Sequence, residues 1–228
     1  MDELGKIKLY NADCMEVMAK YPDKYFDLAV VDPPYGINIS NRVGSIGQKK
    51  GQGRLTKYTR KNWDNSIPSD NYFKELFRVS KNQIIFGGNY FAPFLPPAKG
   101  WIVWDKKQPF GVSFAMAELA YTSYDISTKV YSCSRALIGN KVSNNDRIAQ
   151  RFIKIHPTQK PIQLYEWVFN NYANKTDKVL DTHLGSGSSA VAAHNYGLDF
   201  TGVEIDEEYY TAAKKRLIQR QNELDLSF

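Results

Sequence analysis

The fold of this chain is decided by Val179-Leu180-Asp181-Thr182-His183-Leu184-Gly185-Ser186-Gly187-Ser188-Ser189-Ala190. An apolar strand over residues 177–181 leads into the glycines, and a helix that ends near Tyr196 follows them. Glycine allows a tight turn and a close approach to a ligand, so a strand, Gly-x-Gly-x-x-Ala and a helix are typical of nucleotide-binding turns. Glu204 ends the next strand, where a carboxylate can accept both ribose hydroxyls. The stretch predicts an α/β protein that binds an adenosine-containing cofactor.

Asp181 helps to distinguish between two cofactors of that kind, NAD and S-adenosylmethionine. It ends the strand before the glycines, close to where the anionic pyrophosphate of NAD would lie. A carboxylate there is better matched to an ammonium or sulfonium group, and S-adenosylmethionine has both and no phosphate. Asp181 is alternatively a helix cap or a turn residue, and an NAD-dependent oxidoreductase remains an alternative function.

A second apolar strand, over residues 26–31, ends at Asp32-Pro33-Pro34-Tyr35-Gly36. Two prolines can neither continue a strand ladder nor enter a helix interior, so the chain must leave the sheet in a stiff turn. The turn presents a carboxylate, a carbonyl with no N–H beside it and an aromatic ring. This set is suited to holding a planar base with an exocyclic amine. The alternative is a tight surface turn with an incidental tyrosine.

The remaining segments alternate between strand and helix patterns, which is typical of a parallel sheet. We predict strands at 7–10, 26–31, 83–86, 101–104, 117–124, 177–181 and 200–204. We predict helices at 15–20, 72–79, after Pro161, up to 196 and at 207–221. With 228 residues, one domain of ordinary size is expected.

The net charge of +6 is concentrated in two segments. The loop 37–65 is rich in glycine and has no acid before Asp64, and its basic residues are Arg42, Lys49, Lys50, Arg54, Lys57, Arg60 and Lys61. The segment 126–155 is weakly patterned and also basic. Two such segments favour a polyanionic partner. We predict that 37–65 contacts this polyanion and that 126–155 holds a small recognition insertion.

Other classes of protein are disfavoured by the composition. Cys14 and Cys133 form no CxxC pair, and the three histidines lack metal-ligand spacing, so neither a disulfide framework nor a metal site is expected. No apolar run is long enough for a membrane span, and the charged N-terminus lacks the hydrophobic region of a signal peptide. A cytoplasmic location is therefore expected.

Three motifs together resemble the DNA amino-methyltransferases, which methylate adenine N6 or cytosine N4. They are Asp-Pro-Pro-Tyr at 32–35, His-Pro-Thr-Gln-Lys-Pro at 156–161 and Asp-x-x-x-Gly-Ser-Gly at 181–187, in the order of the class called β. The resemblance implies a single domain over 1–228 with a Rossmann-like class I methyltransferase fold, circularly permuted. Its mostly parallel seven-stranded sheet would have one antiparallel strand, and the strands ending at Asp181, Glu204, Asp13 and Asp32 would be first to fourth.

The resemblance also implies which residues bind S-adenosylmethionine. The methionine part would be held by Asp181 and by the loop Gly185-Ser186-Gly187, and its carboxylate end by Thr158 and Lys160. The ribose would be bound by Glu204, and the adenine by Ile205, Asp13 and Cys14, with Asp32 at the edge of the cofactor. Lys160 is alternatively a surface lysine at a helix start. Thr182-His183 replaces the usual Pro-Phe, so an imidazole takes the place of the phenylalanine that lies against the cofactor.

The catalytic residues implied by the resemblance are Asp32, Pro33, Pro34 and Tyr35. Asp32 and the Pro33 carbonyl would accept the two amine hydrogens and direct the nitrogen lone pair at the methyl group. Tyr35 would stack on the flipped base, with Phe110 or Phe114 as candidates for its other face. Asp rather than Ser at position 32 favours adenine.

The function we predict is site-specific methylation of adenine N6 in double-stranded DNA. The alternatives are cytosine-N4 methylation, an RNA or protein-amide substrate, and an inactive DNA-binding module. The resemblance further suggests a homodimer, a cognate restriction endonuclease within a restriction-modification system, and the cytoplasm of a bacterial or phage-infected cell.

Overall fold

A computed structural model describes residues 1–38, 63–108, 115–134 and 155–225 of the chain. Its strands are β1 (Asp2–Leu4), β2 (Ile7–Asn11), β3 (Phe26–Val31), β4 (Ser80–Phe86), β5 (Trp101–Asp105), β6 (Ala117–Thr122), β7 (Lys129–Ser132), β8 (Lys178–Asp181) and β9 (Asp199–Glu204). Its helices are α1 (Cys14–Met18), α2 (Asp70–Val79), α3 (Ile162–Tyr172), α4 (Ser188–Tyr196) and α5 (Glu207–Asp225). Every predicted strand and helix is present, with ends that differ by a few residues.

The strands of the described ranges form one sheet in the order β1-β2-β9-β8-β3-β4-β6-β5-β7. The five strands from β2 to β4 are parallel, whereas β6 lies antiparallel between β4 and β5. This confirms the α/β class and the mostly parallel mixed sheet. The four strands that carry the acidic motifs are neighbours in the order β2-β9-β8-β3, so the strand before Asp32 lies beside the strand that ends at Asp181.

The sheet is wider than the predicted seven strands because two short edge strands extend it. β1 is a three-residue strand antiparallel to β2, reached through a turn at Gly5 with φ of 66°. β7 pairs in parallel with β5 inside the segment predicted to be a recognition insertion. Both strands are too short and too exposed to show the alternation of a half-buried strand.

Helices cover both faces of the sheet, and β3 shows how its sequence divides between them. Leu28 and Val30 pack in the core that contains α3, α4 and α5, and Ala29 and Val31 pack in the core that contains α1 and α2. All four side chains are fully buried. A strand buried on both faces reads as a continuous apolar run, and each large apolar side chain buried there contributes about 1.5–3 kcal/mol.

The direction of the strands brings the acidic motifs to one edge. The carboxyl ends of β2, β9, β8 and β3 meet there, so Asp13, Glu204, Asp181 and Asp32 follow neighbouring strands at the same side of the sheet. In open α/β sheets, ligands bind outside these ends. Because β6 runs the opposite way, its first residues reach this edge as well.

Within the described ranges, no helix is long and apolar enough to cross a membrane. The same part of the chain contains no group of three His, Cys, Asp or Glu side chains arranged to hold a metal ion. Cys14 and Cys133 are free thiols.

Candidate active site

A cavity of about 890 Å³ lies outside the carboxyl ends of the parallel strands. It brings the three sequence motifs together, because its lining includes 32–35, 156–160, 183–186 and 204–205. The predicted site residues among its lining are Asp32, Pro33, Pro34, Tyr35, Thr158, Lys160, Gly185, Ser186, Glu204 and Ile205. The lining does not include Asp13, Cys14, Asp181 or Gly187. Segments more than 100 residues apart in sequence therefore form one site.

Asp32 begins the proline turn and faces two partners. Its Oδ2 lies 2.5 Å from Lys160 Nζ, and the Tyr35 hydroxyl lies 2.6 Å from its Oδ1. Burial raises the pKa of Asp32 above its ordinary value, although the charge of Lys160 acts in the opposite direction. Asp32 is thus a carboxylate with increased proton affinity at the end of a parallel strand.

Tyr35 is held from several sides. Its hydroxyl lies 2.6 Å from Asp32 Oδ1 and also 2.6 Å from Glu118 Oε1, and its ring stacks on Tyr90 at 4.9 Å with an angle of 13°. A Cβ at Gly87 would lie 2.2 Å from Tyr35 Cε1, so only glycine allows this approach. The predicted stacking of Tyr35 on a base stays a prediction, because Tyr90 occupies one face of the ring.

Lys160 lies inside the site. Its Nζ is 2.5 Å from Asp32 and 2.7 Å from Glu118, and its side chain is only 3% exposed. The surface-lysine interpretation is therefore wrong. Burial alone would lower the pKa of Lys160, but the two carboxylates outweigh it and raise the pKa, so Lys160 is charged. Its predicted contact with the methionine carboxylate stays a prediction.

Two residues that the sequence did not single out complete this network. Glu118, near the start of β6, contacts Lys160 and also lies 2.9 Å from Lys106 Nζ, and both Glu118 and Lys106 are largely buried. Burial opposes the ionisation of Glu118, but the two lysines outweigh it and lower the pKa of Glu118 to about 2. No motif indicates these residues, because their position depends on an antiparallel strand.

Glu204 connects the glycine turn to the last strand. Its Oε2 accepts a hydrogen bond of 2.7 Å from the Gly185 amide, and its Oε1 accepts one of 2.9 Å from the Asp206 amide. Gly185 and Gly187 have φ of 52° and 72°, which a side chain would disfavour. Ile205 is 66% exposed beside them. A fixed carboxylate and an exposed apolar side chain are suited to a ribose and an adenine.

Another residue outside the predicted site, Arg216 on α5, supports the glycine turn. Its Nη1 donates hydrogen bonds of 2.9 Å to the Ser186 carbonyl and to Ser188 Oγ. Ser188 Oγ in turn donates to the Lys160 carbonyl at 2.8 Å. The cofactor turn and the backbone that carries Lys160 are thereby tied together.

Asp181 lies under the turn and is 1% exposed. It accepts hydrogen bonds from Ser189 Oγ at 2.6 Å and from the His183 amide at 3.0 Å. These contacts support the alternative role as a turn residue. Burial raises the pKa of Asp181 to about 7. Its contact with the methionine part remains a prediction.

His183 lines the cavity where the family usually places phenylalanine. Its ring packs edge-on against Tyr72 at 5.3 Å, and burial lowers the pKa of His183 to about 4. The imidazole is therefore neutral at pH 7. It can serve as an aromatic surface, as the phenylalanine would.

The remaining predicted cofactor residues have structural partners. Asp13 caps α1 by accepting a hydrogen bond of 2.7 Å from the Met15 amide. Burial raises the pKa of the adjacent Cys14 thiol to about 12. Thr158 Oγ1 lies 3.0 Å from His156 Nδ1. Contacts of these residues with a cofactor stay predictions.

Several predicted DNA-contacting residues lie outside the described ranges. They are Arg42, Lys49, Lys50, Arg54, Lys57, Arg60, Lys61, Phe110 and Phe114. Most of the predicted recognition insertion, from 135 to 154, lies outside them too.

The residues present fit S-adenosylmethionine better than NAD. The Glu204 carboxylate lies against the first glycine amide of the turn, which is where a dinucleotide pyrophosphate would need its donors. A negative charge at that place repels a phosphate and suits a cofactor with cationic groups. The fold and the site together define the class of protein as a Rossmann-like methyltransferase.

Comparisons with known proteins identify the family. A family model described as DNA methylase, of the N6/N4 type, matches residues 104–215. The type II methyltransferase M2.LlaDCHI of Lactococcus lactis subsp. cremoris is 40% identical over 244 residues, covering 92% of this chain and 88% of that protein. The type II methyltransferase M2.DpnII of Streptococcus pneumoniae is 24% identical over 254 residues, covering 96% of this chain and 92% of that protein.

Solved structures share the fold. The M1.HpyAVI–SAM complex superposes with a TM-score of 0.61 at 21% identity, covering 92% of this chain and 98% of that chain. The PvuII DNA methyltransferase, a cytosine-N4-specific enzyme, has a TM-score of 0.61 at 15% identity, covering 96% of this chain and 91% of that chain. The chain belongs to the DNA amino-methyltransferases of the N6/N4 family, and S-adenosylmethionine is its cofactor. The NAD-dependent alternative is wrong.

Proposed function

We propose that this protein methylates N6 of adenine at specific sites in double-stranded DNA. The observation that carries the proposal is the position of Asp32. This carboxylate, with a raised pKa, lies at the carboxyl end of β3 and in one cavity with the glycine turn and Glu204. Asp rather than Ser at position 32 favours adenine. Cytosine N4 is the second candidate, because the PvuII enzyme with the same fold is cytosine-N4-specific.

The chemistry requires little more than positioning and electrostatics. When bound, S-adenosylmethionine supplies an electrophilic methyl group on a cationic sulfur. Asp32 and the Pro33 carbonyl accept the two hydrogens of the amine, so its lone pair points at the methyl group. Pro34 has no N–H that would compete for these acceptors. Glu204 and Ile205 hold the adenosine part of the cofactor.

The target base must leave the duplex, at a cost of a few kcal/mol. Stacking on an aromatic ring can offset roughly 1–3 kcal/mol of this cost. Tyr35 already stacks on Tyr90, which is 41% exposed. A base therefore either displaces Tyr90 from Tyr35 or stacks on the outer face of Tyr90. In both cases the ring pair provides the stacking surface.

The remaining DNA contacts are proposed from the sequence. The seven basic residues between 42 and 61 would contact phosphates, and part of 126–155 would read the target sequence. A homodimer, a cognate restriction endonuclease and the bacterial or phage-infected cytoplasm stay predictions from the family resemblance.

One experiment tests the reaction and the base together. The protein is incubated with S-adenosylmethionine carrying a tritiated methyl group and with unmethylated plasmid, and the DNA is then digested to nucleosides. We expect the label in N6-methyladenine. Label in N4-methylcytosine would overturn the choice of base, and no label in either would overturn the proposed activity.

The role of Asp32 is tested in the same assay. Asp32→Ala should abolish methyl transfer, because the amine loses its main acceptor, whereas calorimetry should still detect cofactor binding to Glu204 and the glycine turn. Continued incorporation of label by this variant would contradict the mechanism.

A further inference from the structure

Glu118 enters the active site from the strand that runs against the others. Its side chain contacts Tyr35, Lys160 and Lys106, at 2.6, 2.7 and 2.9 Å. Asp32 and Glu118 are therefore two buried carboxylates joined by one phenol and one ammonium group. Such an arrangement can set which carboxylate takes up a proton.

The hydrogens at Tyr35 can be counted. The Tyr35 hydroxyl oxygen lies 2.6 Å from an oxygen of Asp32 and 2.6 Å from an oxygen of Glu118. Burial raises the pKa of Tyr35, so the phenol keeps its proton, but it has only one to donate. The three hydrogens of Lys160 are directed to Asp32, Glu118 and the Tyr35 oxygen. The second short contact of Tyr35 therefore has no hydrogen of its own, and a proton taken up by one of the two carboxylates would fill it.

The surroundings decide which carboxylate takes this proton. Among the described residues, Glu118 contacts two lysine ammonium groups, whereas Asp32 contacts the ammonium group of one lysine, Lys160. Glu118 therefore remains ionised and accepts the Tyr35 hydrogen. Burial raises the pKa of Asp32, and the negative charge of Glu118 raises it further. The network has a place for one extra proton, and that place is on Asp32.

Resting on the proposed function, we propose that Glu118 is a positioning residue that orients Tyr35 and Lys160 and increases the basicity of Asp32. Asp32 then takes the proton that the amine loses on methylation. Lys106, whose ammonium group lies 2.9 Å from Glu118, offsets part of the negative charge that Glu118 exerts on Asp32.

The transfer step balances with these groups. The amine nitrogen forms a bond to the methyl carbon, and the electron pair of the broken carbon–sulfur bond remains on sulfur, which becomes a neutral thioether. The nitrogen then carries a positive charge. One N–H bond breaks, its electrons return to nitrogen and its proton moves to an Asp32 oxygen. Asp32 later releases the proton to water, so a methyl group has replaced a hydrogen.

Other groups also face Asp32 and must be considered in any titration. The charged and titratable side chains around it are Glu118 on β6, Lys160 before α3, Tyr165 on α3, Tyr72 on α2, Asp181 on β8 and Tyr35 on its own turn. Of these, Glu118 can be made neutral with little change of shape, as Gln.

The test is a titration of Asp32 by NMR in the full chain with ¹³C-labelled aspartate carboxyl groups, in the presence of S-adenosylmethionine. The Asp32 signal is assigned by its loss in Asp32→Asn. Glu118→Gln should lower the titration midpoint of Asp32 by about one pH unit or more, since it removes a nearby like charge. Glu3→Gln, which changes a glutamate on β1, should leave the midpoint unchanged.

A second variant separates this role from a structural one. Lys106→Met removes a positive charge from the network and should move the Asp32 midpoint upward, in the direction opposite to Glu118→Gln. A midpoint that does not move in Glu118→Gln, or that moves the same way in both variants, would overturn the proposal. Circular dichroism checks that each variant is folded.

The kinetic counterpart is the pH profile of single-turnover methylation. In Glu118→Gln the acidic limb should shift to lower pH and the plateau rate should fall, because Asp32 becomes a weaker base. Failure of the proposed function is distinct, since wild-type protein would then make no N6-methyladenine while the NMR midpoints still responded. An unshifted acidic limb together with an unshifted NMR midpoint would refute the role of Glu118.

Discussion

Lys160 holds the site together through charge, and its removal should show how much the buried network contributes to stability. Its ammonium group contacts Asp32 and Glu118 at 2.5 and 2.7 Å with 3% of the side chain exposed. Lys160→Met keeps the length of the side chain and removes the charge. Breaking a buried ion pair from one side costs about 3–5 kcal/mol, because the partner stays buried without compensation.

For a chain of this size, 1 kcal/mol corresponds to roughly 2–4 °C in Tm. We therefore expect Lys160→Met to lower Tm at pH 8 by roughly 6–20 °C. Lys81→Met is the matched control. Its ammonium group lies 2.7 Å from Asp27, but the Lys81 side chain is 56% exposed, so water replaces the pair readily and the shift should be several times smaller.

The loss should also depend on pH, with a sign fixed by Asp32 and Glu118. In wild type, Lys160 lowers the pKa of Asp32 and of Glu118, so in the variant both carboxyls bind protons more tightly in the folded state. A raised folded pKa contributes stability that is fully present below the unfolded pKa and is lost as pH rises through the folded pKa. The deficit of Lys160→Met should thus be larger at pH 8 than at pH 5.

The assay is thermal and urea denaturation of both variants and of wild type at the two pH values. Equal losses in Lys160→Met and Lys81→Met would refute the argument that burial makes the difference. A deficit that does not change with pH would show that the two carboxylates do not take up protons when Lys160 is removed.

Two further predictions concern the cofactor turn. Because burial raises the pKa of Asp181 to about 7, the affinity for S-adenosylmethionine should fall about tenfold per pH unit below pH 7 if an ionised Asp181 pairs with the ammonium group. Calorimetry should then detect proton release when wild type binds the cofactor. Asp181→Asn should bind S-adenosylmethionine weakly and without this pH dependence. A wild-type affinity that does not change with pH would contradict the pairing. Gly187→Ala should cost about 1–2 kcal/mol for its φ of 72° plus a packing loss, since the new Cβ would lie 2.9 Å from Ala213 Cβ. Gly197→Ala, with φ of 87° and open space around it, should cost only the backbone part, so equal denaturation midpoints for the two variants would contradict the packing argument.

The parallel part of the fold was predictable because its information is local. The parallel strands β3, β4, β8 and β9 each end at an acidic or glycine-containing motif, and parallel strands place their carboxyl ends at one edge. With the strand layout implied by the family resemblance, the sequence predicted that Asp32, Glu204 and the glycine turn would meet. The edge strands β1 and β7 were missed because three or four half-exposed residues show no periodicity.

The rest of the site was not predictable because it depends on pairings distant in sequence. Glu118 stands in a strand with ordinary alternation, and its position at the active site follows from the antiparallel insertion of β6 between β4 and β5. Lys160 could be read either as a ligand residue or as a surface residue until its burial was known. Gly87 leaves room for the Tyr35 ring, on which Tyr90 stacks, and no local pattern indicates this contact.

The pKa values of the two active-site carboxyls are shifted in opposite directions, which indicates that the network contributes to catalysis as well as to stability. Asp32 and Glu118 share Tyr35 and Lys160, yet burial raises the pKa of Asp32 while two lysines lower that of Glu118 to about 2. Pairs of carboxyls whose pKa values are driven apart mark the acid and base roles of an active site. A single buried aspartate beside Lys160 would be a salt bridge with its basicity suppressed. The second carboxylate shares the charge of that lysine, and so Asp32 can both accept the amine hydrogen and retain the proton released on methylation.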